Sequence, residues 1–88
     1  MKNAKERTRA YCKRALSEIT KVLQDNPNDI SLEIRNFKNI EVELRKMIFY
    51  LDPNKFSPGY DYYLRDSCKN KFGISEILLK AINEYKRL

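Results

Sequence analysis

Between residues 30 and 51 the apolar side chains Ile30, Ile34, Phe37, Ile40, Leu44, Met47, Ile48 and Leu51 recur at three- and four-residue intervals. That period places them on one stripe of an α-helix and on no face of a strand. A stripe spanning about six turns at 3.6 residues each needs a facing surface of similar length. The chain supplies one upstream. From Asn3 to Asp25 neither Gly nor Pro occurs, and Tyr11, Cys12, Ala15, Leu16, Ile19, Val22 and Leu23 repeat at the same spacing. Two long amphipathic helices are therefore expected, parted at Asp25-Asn26-Pro27. Proline disfavours helix at the residue before it and can open the next helix at its own position.

The end of the second helix carries surplus apolar groups, because Phe49 and Tyr50 lie off the stripe beside Met47, Ile48 and Leu51. A third element is expected to cover them on more than one side. Leu32 and Val42 also lie off the stripe and read as scattered surface residues, which are common. Asp52 to Gly59 holds two of the three prolines and one of the two glycines, so it reads as the one substantial loop, with Phe56 turned inward as an anchor. Ser57 and Pro58 then suit an N-cap and a first helical residue. Tyr60, Tyr63, Leu64, Cys68 and Phe72 continue at helical spacing to Gly73, which suits a left-handed helix terminus. A restart follows: Ser75 caps, and Ile74 with Leu79 occupies the positions of a hydrophobic staple. The last helix turns Leu78, Ala81, Ile82, Tyr85 and Leu88 inward. The expected fold is all-α, a small antiparallel bundle formed as one domain over residues 1–88. It has two long helices plus a C-terminal pair, or three helices if the last two are continuous.

Composition narrows the function. The longest purely apolar run, Met47 to Leu51, is five residues, against about 20 for a membrane span, and no apolar stretch follows the basic start as a signal peptide requires. A soluble, unprocessed, cytoplasmic chain is expected. There is no histidine, and Cys12 and Cys68 are the two cysteines. That is too few for a zinc site or a disulfide framework, so two reduced thiols in a helical core are expected, with a bridge open only if their helices face each other. Acid–base catalysis lacks its usual residue. The carboxylate pairs Glu41 with Glu43, and Asp61 with Asp66, diverge on a helix. Two glycines fourteen residues apart exclude a phosphate-cradling loop. The expectation is a non-enzymatic binding protein without cofactor or metal.

The charge map points to where binding occurs. Residues 1–21 hold seven Lys or Arg against two Glu, residues 22–54 four against six acids, and residues 55–88 seven against four, for a net charge of +6. Lys2, Lys5, Arg9 and Lys13 form a basic stripe on the first helix, with Arg7 and Arg14 elsewhere around it. Such a stripe either keeps the chain soluble or meets the phosphates of nucleic acid or anionic lipid. No nucleic-acid motif accompanies it, since a helix-turn-helix joins shorter helices by a tight turn. Tyr60 and Tyr63 fall with Leu64 on a core face, whereas Tyr62 points away from it and is the best single candidate for a partner contact.

The run Lys71-Phe72-Gly73-Ile74-Ser75-Glu76-Ile77-Leu78-Leu79-Lys80-Ala81-Ile82-Asn83-Glu84 resembles the last helix of immunity proteins for pediocin-like (class II) bacteriocins, of the enterocin A immunity type. An apolar residue, a small polar cap, a Glu and an Ala-Ile-Asn-Glu run are similar there. Leu51-Asp52-Pro53 looks like the junction after the second long helix in that family. The chain departs from the family in ending at Leu88, where members commonly continue into a tail. The resemblance implies a four-helix cytoplasmic protein, acting at the inner membrane face, that protects a producer cell from its own pore-forming peptide. Protection in that family is thought to act on a sugar phosphotransferase permease, with the C-terminal half selecting the bacteriocin. Carried over, the exposed partner-binding candidates are Tyr62, Arg65, Lys69, Lys80 and Lys86. The alternative is a small basic regulator that binds nucleic acid or a protein through its first helix. A further possibility is an oligomer built on the apolar end of the second helix.

Overall fold

The computed structural model describes residues 3–59 and 75–88. Among these it contains three α-helices and no strand: α1 (Ala4–Asp25), α2 (Leu32–Tyr50) and α3 (Ser75–Lys86). The molecule is an all-α helical bundle, as the apolar periodicity predicts. The helix expected from Tyr60 to Phe72 lies outside the described residues. So does Ile74, and with them the choice between a separate helix and one kinked C-terminal helix.

α1 starts where the sequence offers a cap. The Asn3 side-chain oxygen accepts the Glu6 N–H at 2.8 Å, satisfying one of the amides that a helix start leaves without a partner. At the other end the Asn26 side-chain amide donates to the Val22 carbonyl at 2.9 Å. The expectation that Pro27 opens the next helix is not met. Instead the Asp29 N–H turns back to the Asn26 carbonyl at 3.2 Å, and the Asp29 carboxylate accepts the Ser31 N–H at 2.8 Å. Ser31 then caps α2 by accepting the Ile34 N–H at 3.4 Å. A serine able to cap outcompetes a proline that cannot. The apolar stripe is corrected in consequence: Ile30 precedes the cap, is not helical, and is 89% exposed.

Both α2 and α3 pack on α1, each antiparallel to it. Thr20 meets Glu41 while Lys13 and Leu16 lie beside Arg45, and Arg7 meets Glu84 while Tyr11 lies under Lys80. The shared core is Cys12, Ala15 and Ile19 from α1, Ile34, Phe37, Ile40, Leu44 and Met47 from α2, and Leu78, Ala81, Ile82 and Tyr85 from α3. Thr8 is also fully buried, and its hydroxyl donates to the Glu84 carbonyl at 3.3 Å, which removes the cost of placing a polar group there.

α2 ends at Leu51, a non-glycine residue in the left-handed region with φ 48°. Its N–H donates to the Met47 carbonyl at 2.9 Å. The conformation costs an L-residue about 1–2 kcal/mol. Leu51 is buried, and burying a leucine side chain returns about 1.5–3 kcal/mol. The loop that follows is organised by Asp52, whose carboxylate accepts the Asn54 N–H at 2.9 Å and whose carbonyl accepts the Lys55 and Phe56 amides at 3.0 and 3.1 Å. Phe56 is half-buried against the core. Ser57 to Gly59 stays irregular, so Pro58 does not begin a helix. Pro58 is buried, and the Gly59 N–H is taken by the Glu43 carboxylate at 3.2 Å.

The cover expected over the end of α2 is partial. Met47 and Leu51 are buried, but Phe49 is 80% exposed. Tyr50 stacks on Phe56 at 6.3 Å between centroids, whereas Phe49 touches Tyr50 edge-on at 5.0 Å and projects on the other side. Leu32 and Val42 are exposed, as their off-stripe positions predict.

Tyr85 ties the C-terminal helix to this loop. Its ring is fully buried, and its single hydroxyl proton lies between the Phe56 carbonyl at 2.6 Å and the Asp52 carbonyl at 3.0 Å. Tyr85→Phe should cost about 1–2 kcal/mol by leaving those carbonyls short of a donor, read as a fall of several degrees in the thermal midpoint. Asn36 supplies a test of opposite sign. It is buried, between Arg35 and Phe37 in sequence, and its amide nitrogen has no hydrogen-bond partner. Asn36→Leu should raise the urea midpoint, since an unsatisfied buried donor costs about 1–3 kcal/mol.

Candidate functional site

The basic side chains of α1 divide into one that the fold uses and others that it leaves exposed. Arg7 is structural: its Nε donates to Glu84 at 3.1 Å, and Arg87, just past the end of α3, reaches the other oxygen of the same carboxylate at 3.6 Å. Lys5, Arg9 and Lys13 are exposed, and no hydrogen bond or ion pair among the described residues engages them. Lys2 lies outside the described residues. The basic stripe read from the sequence therefore survives as free charge at three of its four positions.

Lys13 opens onto a groove between α1 and α2. The groove has a volume of about 380 Å³ and is lined by Lys13, Ser17, Thr20 and Lys21 from α1 and by Arg45 from α2. No acid is among these lining residues. The Glu41 carboxylate, which accepts the Thr20 hydroxyl at 3.2 Å, lies 3.8 Å from Arg45. Lys21 and Arg45 were not singled out in the sequence. Their signal was present: Lys13, Ser17 and Lys21 are four residues apart, and Glu41 with Arg45 is an i,i+4 pair.

A second groove, of about 600 Å³, runs between α1 and α3 past Arg14, Glu18, Glu76, Leu79 and Lys80. Of the partner-binding candidates, Lys80 borders this groove and holds its ammonium 5.4 Å from the Tyr11 ring centroid, an attraction of about 0.5–1 kcal/mol at an exposed site. Lys86 is exposed in the last turn of α3, where a cation suits the helix dipole, and it also has a partner within the chain. Tyr62, Arg65 and Lys69 lie outside the described residues, so Lys80 and Lys86 are the candidates whose surroundings are defined.

The carboxylates do not converge. Glu41 serves Thr20 and Arg45, and Glu43 serves the Gly59 amide. Asp61 and Asp66 are outside the described residues. Among those residues no group of three or more Cys, Asp or Glu side chains could hold a metal ion. Comparison of the chain with protein-family models, curated proteins and solved structures returns no match.

Cys12 is a free thiol in the centre of the core. Cys68 lies outside the described residues. Burial pushes the Cys12 thiol from 9.0 up to about 12, so it is protonated at neutral pH and weak as a nucleophile. Burial also raises the Tyr85 phenol above its ordinary 10.0. Both groups hold their proton more tightly folded than unfolded. The Cys12 contribution is therefore intact below pH 9 and lost as pH rises from 9 toward 12, and that of Tyr85 is likewise lost on the alkaline side of its ordinary 10.0. At about pH 10.5 thiol ionisation alone should remove about 2 kcal/mol, seen as a lower urea midpoint than at pH 8. Cys12→Ala should flatten that pH dependence, and in the parent protein the thiol should react with a disulfide reagent only as fast as the bundle opens.

Proposed function

We propose that this chain is a non-catalytic binding protein that protects a bacteriocin-producing cell, in the manner of the immunity proteins its C-terminal segment resembles. The supporting observation is the form of that segment. From Ser75 it is an amphipathic helix whose Leu78, Ala81, Ile82 and Tyr85 are buried, leaving Lys80, Asn83 and Lys86 exposed. The Ala-Ile-Asn-Glu run thus divides its labour: Ala81 and Ile82 enter the core, Asn83 faces out, and Glu84 links α3 to α1 through Arg7. A rigid helix with a polar outer face suits recognition of a protein surface better than catalysis, which needs convergent groups.

On this reading the partner is a membrane permease complex engaged from the inner face, and Tyr62, Arg65, Lys69, Lys80 and Lys86 carry the contact. The regulator alternative retains the unpaired Lys5, Arg9 and Lys13 in its favour, and predicts a soluble or nuclease-sensitive partner.

Expression in a strain sensitive to a pediocin-like bacteriocin should raise the tolerated peptide concentration. Tyr62→Ala with Arg65→Ala, and separately Lys80→Ala, should abolish that gain while changing stability by no more than about 1 kcal/mol, the size of the Lys80–Tyr11 contact. A tagged pull-down from membrane fractions, with and without nuclease, should recover a nuclease-resistant permease. Absence of protection, together with only nuclease-sensitive partners, would overturn the immunity reading.

A further inference from the structure

We propose that the exposed face shared by α1 and α2 seats the protein on an anionic lipid surface. Three observations converge on that face. The first is charge: Lys13 and Lys21 of α1 and Arg45 of α2 border one groove that no acid among the described residues lines, and Glu41, which pairs with Arg45, is also engaged by Thr20. The second is exposed apolar surface: Phe49 is 80% and Val42 51% exposed. Phe49 follows Arg45 by one turn of α2, and Val42 precedes it by about one, so the two stand about 10 Å apart along the outward arc that holds Lys38 and Arg45. The third is shape. α1 has 22 residues, about 33 Å at 1.5 Å per residue, and it lies alongside α2, giving a broad surface of two helices.

Cations interleaved with outward apolar side chains are what an interfacial element presents to a charged bilayer. The apolar groups enter the boundary between headgroups and acyl chains, while Lys and Arg meet the phosphates. No helix among the described residues is long and apolar enough to cross a membrane, so attachment here is to the surface. Single-stranded nucleic acid would satisfy the charges, but it binds by stacking bases on aromatic rings. Among the described residues the arc that holds Lys38 and Arg45 offers one ring, Phe49, and beside it Val42, on which no base stacks. Lipid accounts for both. The inference does not depend on the immunity reading, because it uses the α1–α2 face and not the exposed side of α3.

The test is sedimentation of the full chain with vesicles of phosphatidylcholine alone, and of phosphatidylcholine mixed in equal parts with phosphatidylglycerol. Binding should require the anionic lipid and fall steeply with added salt. Lys13→Ala with Arg45→Ala should weaken it by about 25-fold, at about five-fold for each cation brought to the surface. Phe49→Ser should weaken it at unchanged net charge. Arg14→Ala removes one charge from the α1–α3 side and should leave binding close to that of the parent protein. Helical circular dichroism should be the same for all variants, since every substituted side chain is exposed. Equal binding to neutral vesicles, or as large a loss from Arg14→Ala as from Lys13→Ala, would overturn the proposal. So would failure to bind either vesicle while retaining a single-stranded oligonucleotide, which would assign the face to nucleic acid.

Discussion

A phenolic hydroxyl buried without a partner would cost about 1–3 kcal/mol, so Tyr85 can occupy the core only if the chain brings an acceptor to it. The loop after α2 brings two, the carbonyls of Asp52 and Phe56. Several otherwise separate features follow from that demand. Leu51 takes up a left-handed conformation, which turns the chain out of α2 early enough to aim the Asp52 carbonyl at α3. Asp52 then ties the next turn with its carboxylate, and Phe56 turns its ring toward Tyr50 while its carbonyl points inward. The hydroxyl therefore sets where α2 stops, how the loop closes and how far along α1 the last helix sits.

The long helices were legible because their apolar spacing leaves one arrangement that buries the stripe. Cys12, Ala15, Ile19, Ile34, Phe37, Ile40, Leu44, Met47, Leu78, Ala81, Ile82 and Tyr85 are all buried, and each stands on a predicted face. What failed was punctuation. Ile30 fits the stripe numerically, but periodicity carries no information about where the first turn closes. The Asp29–Ser31 pair decides that by capping. Pro58 misled in the same way, since a proline permits a helix start without supplying one. The Tyr85 hydroxyl bond joins residues 29 and 33 positions apart, and no local pattern encodes it.

The basic stripe was legible as composition, but its division of roles was not. Arg7 and Lys13 are both cations on one helix, yet Arg7 faces α3 and finds Glu84, while Lys13 faces outward beside Lys21 and Arg45. The distinction depends on which side of α1 each neighbouring helix takes, and that is settled by packing. A pair such as Arg7 and Glu84 gains little in water. Here Glu84 is mostly covered, with 14% of its side chain exposed, and it answers two arginines, so the cluster orients α3 more than an isolated surface pair could.

α1 thus has two working sides. Toward α3 the fold uses Arg7, which pairs with Glu84, and Thr8, whose hydroxyl donates to the carbonyl of the same residue, while Arg14 and Glu18 border an open groove. Toward α2 the fold uses Thr20 and Glu41 and leaves Lys13, Lys21 and Arg45 around open space. Phe49 sharpens the contrast, because its ring is 80% exposed and among the described residues its one ring contact is an edge against Tyr50. An exposed phenylalanine one turn from an arginine on the outer surface neither stabilises the bundle nor favours solubility. Folding requirements therefore account for Arg7, Thr8, Thr20 and Glu41 and give Lys13, Lys21 and Phe49 no part in the packing, which is the distribution expected when part of the α1–α2 face meets something outside the bundle.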